Sequence, residues 1–252
     1  MVPFGFASLN AWMLGRADAA LEREAWMMAA VEANGNNPQD MAWAGYLAAS
    51  LRSSLKDWDQ AESFAARALE VCEQNQFPNI AAYCRCTVGI ARAVLGRAGE
   101  GVELIRAGLA GFQEVGTRIP TYVTILGWAQ LIAGDIDGAL ASAEQALQAE
   151  SDETTKRPTT RSGALTLRGQ LRLIQGNIEL AEADFREAVS LTRAIGAKGL
   201  ELGAAVNLAR LLSNQGRRDE ARSMLAEIYG WFTEGFDTAD LKDAKALLDE
   251  LA

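Results

Sequence analysis

The sequence of 252 residues contains no histidine. Hydrolases that activate a serine or cysteine with histidine are therefore excluded, as are proton transfer by histidine and zinc sites with a histidine ligand. Proline is scarce, with 5 residues, and aromatic residues make up only 7%. No apolar run approaches the length of about 18 residues that a membrane-spanning helix needs, and the N-terminus lacks a secretory signal pattern. We therefore expect a cytoplasmic protein without a membrane partner.

Cysteine is also rare, and the three cysteines, Cys72, Cys84 and Cys86, form no C-x-x-C motif. An odd set with this spacing indicates neither a disulfide framework nor a zinc-binding knuckle. We predict that these cysteines are small apolar packing residues in a reducing compartment. The sequence offers no set of metal ligands and no cofactor motif, so we expect neither a metal nor a cofactor.

Basic residues are outnumbered by acidic ones. The 24 Lys and Arg residues stand against 33 Asp and Glu residues, which gives a formal net charge of −9. Nucleic acids and anionic membranes are bound through basic patches, so neither is expected as the main partner. Hydrophobic residues nevertheless make up 49% of the chain, which excludes a disordered acidic tail and indicates a folded protein.

A short turn pattern recurs six times along the chain. Successive copies begin 38 to 42 residues apart, at Gly15, Lys56, Gly96, Gly134, Gly176 and Gly216. Each turn lies between two segments with helical apolar periodicity, which predicts a helix-turn-helix unit. The glycine suits the left-handed residue that follows a helix, and the acidic residues after it suit the start of the next helix. Acidic pairs such as Asp135 and Asp137 recur with these turns, so we interpret them as turn and cap residues.

Small residues flank every turn at fixed distances, where they let two helices pack closely. Seven positions before the turn start lie Ser8, Ala49, Gly89, Gly127, Gly169 and Ala209, and five positions after it lie Ala20, Ala61, Gly101, Ala139, Ala181 and Ala221. The pattern predicts an all-α solenoid of six units in one domain over residues 1–252. The predicted units span 3–35, 40–76, 79–116, 120–149, 161–196 and 199–230.

The turn pattern resembles the tetratricopeptide repeat. The best match is the stretch that contains Gly169, Gly176, Ala181, Phe185 and Ala188. A standard tetratricopeptide unit has about 34 residues, so the units here carry lengthened helices or loops, and HEAT-like repeats, with a period near 40, are the alternative. The glycine in the turn favours the tetratricopeptide interpretation, which implies a right-handed superhelix with a concave groove.

Two segments depart from the repeat. Residues 149–163 form the longest polar stretch, which predicts a flexible loop. Residues 237–251 predict a capping helix that begins at Asp237 or Thr238. Its apolar side chains fall on one face, as the end of a solenoid requires: Leu241, Ala244, Leu247, Leu248 and Leu251.

The C-terminal part resembles a more specific bacterial family. The stretch from Tyr229 to Leu251, together with Ala194–Gly216 and Phe77–Gly101, is similar to the C-terminal tetratricopeptide regions of predicted signalling ATPases, which are often fused to a class III adenylate cyclase domain. In that family the catalytic domains lie N-terminal to the repeats. The sequence has no G-x-x-x-x-G-K-[ST] motif, so the resemblance implies the regulatory part of such a system. Whether the chain is complete or a fragment stays open.

The concave groove is the candidate functional site. In such repeats the first helix of each unit lines the groove, through residues 13, 10 and 6 positions before the turn start. We predict that the following residues bind a partner: Trp43, Tyr46, Tyr83, Cys86, Thr121, Thr124, Trp128, Gln170 and Arg210. Aromatic side chains are effective anchors for peptides. The alternative is that Trp43 and Tyr83 pack against neighbouring loops.

The sequence thus predicts a non-catalytic protein-interaction module that binds a peptide or helix of a partner. It is expected to be the sensing or scaffold part of a bacterial signalling ATPase or cyclase system. Homo-oligomerisation through an exposed N-terminal repeat is also possible. The main alternative is a sensor domain that binds a small metabolite in the same groove, and an enzyme is the third candidate.

Overall fold

The computed structural model describes residues 2–117, 119–149 and 157–252. These residues form helices and no strand, as the repeat pattern predicts. Thirteen helices follow one another along them: α1 Val2–Met13, α2 Ala17–Ala33, α3 Pro38–Ser54, α4 Trp58–Gln74, α5 Pro78–Val94, α6 Ala98–Glu114, α7 Pro120–Ile132, α8 Ile136–Ala149, α9 Pro158–Ile174, α10 Ile178–Ala194, α11 Lys198–Asn214, α12 Arg218–Tyr229 and α13 Ala239–Glu250.

The helices form six pairs, followed by α13. We call the first helix of each pair (α1, α3, α5, α7, α9 and α11) an A helix and the second (α2, α4, α6, α8, α10 and α12) a B helix. Four of the five prolines stand at the first position of an A helix, namely Pro38, Pro78, Pro120 and Pro158. Proline suits this position because the first turn of a helix needs no backbone donor and the fixed φ is already helical.

The turn between the A and B helices has the predicted left-handed residue in every unit. In the third unit Gly96 has a φ of 91°, and the N–H of Arg97 donates to the carbonyl of Arg92 at 2.8 Å. This bond caps the last turn of the A helix. In the second unit Lys56 takes the glycine position with a φ of 60°, a conformation that costs an L-residue about 1 kcal/mol.

Small residues bring the two helices of a unit together, as predicted. The closest approach joins α5 and α6, where Gly89 faces Gly101. A Cβ atom added to Gly89 would lie 2.7 Å from the carbonyl oxygen of Gly101. The equivalent residues of the other units are small and buried, for example Ala49 and Ala61, each 0% exposed.

The A helices form the inner layer of the solenoid. Each A helix contacts the A helix of the next unit, whereas no B helix contacts another B helix among the described helices. Elements on the inside of a curve lie closer together than those on the outside. The surface of the A helices that faces away from the B helices is therefore the concave face.

The C-terminal helix α13 caps the sixth unit, with Leu241, Ala244 and Leu247 buried. Its start differs from the prediction. Thr238 stands at the cap position, but its hydroxyl donates to the carbonyl of Gly235 at 2.7 Å and accepts no bond from the helix. The predicted loop 149–163 was too long as well, because Pro158 starts α9 and residues 158–163 are helical. Of this segment, residues 150–156 lie outside the described residues.

The two ends of the solenoid meet. Helix α1 contacts α11, the N–H of Ala19 donates to Oε1 of Glu234 at 3.1 Å, and the N–H of Gly235 donates to Oδ2 of Asp18 at 3.4 Å. The six units therefore complete a turn in which the first unit packs on the last. We call these contacts the closure.

Lys56 and the N-terminal unit show what the closure changes. The Nζ atom of Lys56 lies 2.5 Å from Oδ1 of Asp240, so the one turn without glycine supplies an ion pair to the capping helix. The N-terminal unit is partly covered rather than freely exposed. Phe4 and Trp26 remain 48% and 54% exposed, so oligomerisation through this unit stays a prediction.

Candidate functional site

The concave face follows a helical register that the sequence-based prediction met only in part. With 100° per residue, the positions 13, 9, 6 and 2 residues before the turn start fall within about 60° of one another on an A helix. The position 10 residues before the turn lies about 60° from the position 13 residues before it, toward the neighbouring helices. Two of the predicted site residues at that position are accordingly buried, with Cys86 at 0% and Thr124 at 6% exposure.

Cys86 and Thr124 are therefore wrong as groove-lining residues. The Sγ atom of Cys86 points to the B helix of its own unit, where it lies 3.8 Å from the carbonyl oxygen of Ile105. Burial raises the pKa of this thiol above its usual range. The Thr124 hydroxyl bonds to the carbonyl of Pro120, within its own helix, at 3.5 Å. All three cysteines are buried and unpaired, in agreement with a packing role.

The predicted aromatic residues form a packed cluster in the N-terminal half of the A helices. The Tyr83 ring lies 4.9 Å from Tyr46 and 5.9 Å from Trp43, and it meets Phe112 edge-on at 4.6 Å. The hydroxyls of Tyr46 and Tyr122 share a hydrogen bond of 2.8 Å between the second and fourth units. The aromatic rings thus pack on one another rather than on loops, and they fill this half of the concave face.

Burial of the cluster changes the chemistry of its hydroxyls. Desolvation raises the pKa of Tyr122 well above its ordinary value, and the neighbouring Tyr46 adds to this effect. Burial also raises the pKa of Tyr46 and of Tyr83. These phenols are therefore neutral hydrogen-bonding groups at any physiological pH.

The other predicted residues lie on the concave face with different degrees of freedom. Thr121 is exposed and shares a hydrogen bond of 3.0 Å with Thr160, and Trp128 is half-buried between the third and fourth units. Gln170 donates to the side chain of Asn207 on the next A helix. Arg210 is exposed and pairs with Asp243 of the capping helix at 2.5 Å.

The sequence-based prediction missed the row nearest the turn. Two residues before the turn start, three adjacent A helices carry Val94, Ile132 and Ile174, with exposures of 39%, 45% and 57%. We call these three residues the apolar row. Extending the spacing of 13 and 6 by one more helical turn of four residues finds them in the sequence.

Glycine leaves the groove open beside the apolar row. At the position 13 residues before the turn, the second and third units carry Trp43 and Tyr83, but the fifth and sixth carry Gly163 and Gly203. A Cβ atom at Gly203 would meet nothing within 4 Å, and one at Gly163 would approach only Thr124, at 3.9 Å. The open part of the groove therefore lies over the third to sixth units.

Charged residues of the A helices lie on the opposite side, where they pair with neighbouring B helices. Asp184, only 3% exposed, accepts from Arg168 at 2.7 and 3.0 Å and from Arg172 at 2.7 Å. Arg52 pairs with the buried Glu24 at 2.9 Å in the same way. Such pairs hold the two layers together and leave the concave face without them.

A second concave feature lies at the closure. It is a pocket of about 320 Å³, lined by Asn10, Met13, Leu14, Thr159, Ile195 and Ala197. Its walls come from the first unit on one side and from the fifth and sixth units on the other. Leu14 and Ile195 are 47% and 44% exposed, so the pocket is mainly apolar and open to solvent.

Metal and membrane sites are the remaining possibilities among the described residues. The part of the chain that the structure describes contains no cluster of three or more acidic or cysteine side chains suited to a metal ion. None of its helices is long and apolar enough to cross a membrane.

Comparison with known proteins supports the repeat assignment. Residues 162–195 and residues 202–228 each match a family model described as tetratricopeptide repeat. These stretches correspond to the fifth unit, which contains the best match found in the sequence, and to most of the sixth. No curated protein sequence matches the chain.

Solved structures share the fold over almost the whole chain. The apo form of the quorum sensor NprR from B. thuringiensis aligns over 98% of this chain and 69% of its own, with a TM-score of 0.63 and 14% identity. NprR in complex with its cognate peptide NprX has the same coverage and identity, with a TM-score of 0.67. BtubC from P. vanneervenii covers 94% of this chain and 89% of its own, with a TM-score of 0.56 and 16% identity. The chain is thus an all-α solenoid with tetratricopeptide repeats and tetratricopeptide-like neighbours, rather than a HEAT-like array.

Proposed function

We propose that the chain is a non-catalytic protein-interaction module that binds a peptide segment of a partner over the third to fifth units. The observation that carries this proposal is the apolar row. Val94, Ile132 and Ile174 are exposed side by side on adjacent helices, although the solenoid buries most of its other large apolar side chains. Contiguous exposed apolar groups of this kind are typical of binding surfaces.

The fold supports the proposal. NprR, whose structure resembles this chain over 98% of its length, is known in complex with its cognate peptide. A peptide-binding role for the present chain extends that property from a structural relative of 14% identity. The proposed site differs from the sequence-based site, because it moves from the aromatic cluster to the C-terminal half of α5, α7 and α9.

Selection of binders from a random peptide-display library tests the proposal. We expect families of peptides that bind the wild-type chain and lose at least about tenfold in affinity on Ile132→Asp combined with Ile174→Asp. Leu180→Asp is the matched control, because Leu180 is 52% exposed on the B helix α10. Failure to select any binder, or equal losses in both variants, contradicts the proposal.

The finer context is proposed from the sequence. The similarity of Tyr229–Leu251 to repeat regions of signalling ATPases supports a role as the sensing or scaffold part of a bacterial signalling ATPase or cyclase system. We expect a gene for such an enzyme next to the gene of this chain or in the same reading frame. Gene neighbourhoods with neither enzyme would count against this context.

A small-molecule sensor is the second candidate function, and the pocket at the closure favours it. Its volume of about 320 Å³ is at the lower end of the range for ligand pockets. A ligand there would bridge the first unit to the fifth and sixth units. Titration calorimetry with a pool of metabolites tests this candidate. It predicts saturable heat that Ile195→Asp removes, and heat that this variant leaves unchanged would contradict it.

A further inference from the structure

We infer that the concave groove selects an uncharged, extended peptide segment with an apolar side chain at about every third residue. The inference rests on the proposed function and specifies the chemistry of the partner. The residues that line the groove, their lack of charge and the spacing of the A helices lead to it.

The concave face is almost free of charge. From the second to the sixth unit, the positions 13, 9, 6 and 2 residues before the turn carry apolar, hydroxyl, amide or glycine residues, and Arg210 is the one charged residue among them. These residues are Trp43, Leu47, Ser50 and Ser54; Tyr83, Thr87, Ile90 and Val94; Thr121, Ile125, Trp128 and Ile132; Gly163, Leu167, Gln170 and Ile174; and Gly203, Asn207, Arg210 and Asn214.

The uncharged face contrasts with the rest of the chain, because charged residues make up 23% of the whole sequence. The charges on α5 and α9 show how the separation arises. Arg92 lies nine residues after Tyr83, half a turn round the helix from the groove, and pairs with Glu62 at 2.9 Å. Arg172 on α9 holds the equivalent position and pairs with Asp184.

A charged partner would find no counter-charge in this groove. Moving an ion from water against an apolar, uncharged surface costs free energy that only an opposite charge or several hydrogen bonds can offset. Arg210 does not offer that charge freely, because it already pairs with Asp243. A neutral segment loses no ion hydration and can bury apolar side chains against the apolar row.

The polar groups of the groove favour an extended segment over a helix. Gln170 uses its amide N–H on Asn207, and no described residue donates to its Oε1 atom. Asn214, at the end of α11, is exposed. Such groups can bond to backbone N–H and C=O groups of a peptide. An extended chain leaves its backbone free for this purpose, whereas a helix satisfies its own.

The spacing of the A helices sets the spacing of the apolar side chains. Packed helices lie about 8–10 Å apart, and an extended chain advances about 3.1–3.3 Å per residue. Three residues of an extended peptide therefore match one step from Val94 to Ile132, or from Ile132 to Ile174. Gly163 and Gly203 leave room beside this path.

Peptides selected from the random display library, remade synthetically with blocked ends, test the inference. We expect the bound segments to be poor in charged residues compared with the unselected library. Replacing one neutral residue of the bound segment by glutamate or lysine should weaken binding about tenfold or more. Affinity should change less than about twofold between low and high salt, because no ion pair forms.

A blocking variant adds an independent test. Gly163→Tyr places in the fifth unit the side chain that the third unit carries at Tyr83, and it should abolish binding while the apolar row stays intact. Gly99→Tyr, at an exposed site on α6 with open space around it, is the control. Binders that are mainly charged, or that weaken strongly with salt, would overturn the inference but leave the proposed function standing. Absence of any binder would overturn both.

Discussion

Gly89→Ala is expected to destabilise the solenoid, although alanine is the better helix former. Gly89 lies inside α5, where the change by itself would stabilise the helix by about 1 kcal/mol. An alanine Cβ atom there would lie 2.7 Å from the carbonyl oxygen of Gly101 and 2.6 Å from Cγ1 of Ile105. Real Cβ atoms essentially never come this close to other atoms, so α5 and α6 would have to move apart.

The magnitude follows from two opposing effects. Overpacking costs about 1–3 kcal/mol, and this site is at the upper end because the obstructing carbonyl is backbone that cannot rotate away. After the gain in helix propensity, the free energy of unfolding should fall by about 1–2 kcal/mol. For a chain of this size, the midpoint of thermal unfolding should fall by roughly 2–8 °C.

Urea unfolding followed by far-UV circular dichroism measures the effect. Gly203→Ala is the matched control, since it lies inside α11 and its added Cβ atom would have nothing within 4 Å. This control should raise the free energy of unfolding by about 0.5–1 kcal/mol. If Gly89→Ala proves as stable as the wild type, the explanation of the small residues as contact points between helices is refuted.

Three other predictions concern the closure, a buried ion network and the aromatic cluster. Asp240→Ala removes the ion pair with Lys56, so spin labels on the first and sixth units should show a broader distance distribution by pulsed electron paramagnetic resonance, with less than about 1 kcal/mol lost in stability. Asp184→Ala leaves two arginines without their partner and should lower the free energy of unfolding by about 2–3 kcal/mol in urea titrations. Because burial raises the pKa of Tyr46 and Tyr122, the unfolded chain loses these protons first. The stability they contribute is present below pH of about 10 and should fall as the pH rises above it, which unfolding at several pH values measures.

Each of these predictions has its control and a contradicting result. Asp249→Ala, which breaks an ion pair within α13, should leave the distance distribution unchanged, and a distribution equally narrow in Asp240→Ala would argue against the closure. Glu103→Ala, in an exposed pair, should be nearly neutral, so an equally neutral Asp184→Ala would contradict the buried network. Tyr122→Phe should reduce the alkaline loss of stability, and an unchanged loss would mean that other groups cause it.

The sequence predicts the architecture well because the repeat states each constraint several times. The left-handed residue appears six times, five times as glycine, and the tight contact of Gly89 with Gly101 follows from the small-residue spacing. The closure could not be predicted in this way. It depends on how small rotations between units add up over the chain, and on single contacts such as that of Glu234 with Ala19, which no repeat announces.

The candidate site was predicted only in part, for a physical reason. A shift of one position on a helix turns a side chain by about 100°, so a register taken from the general repeat pattern misplaced Cys86 and Thr124. Aromatic residues were expected to be free anchors, but Tyr46 and Tyr122 satisfy each other across two units. That partnership between residues 76 positions apart depends on the curvature of the inner layer.

Methyl NMR of isoleucine-labelled protein tests the central claim most directly. A peptide selected by the chain should shift the methyl signals of Ile132 and Ile174, which lie in the open groove, and leave that of Ile195 at the closure unchanged. The three residues have comparable exposures of 45%, 57% and 44%, so accessibility alone cannot produce this difference. Shifts at Ile195 without shifts at Ile132 and Ile174 would contradict the assignment of the groove as the binding surface.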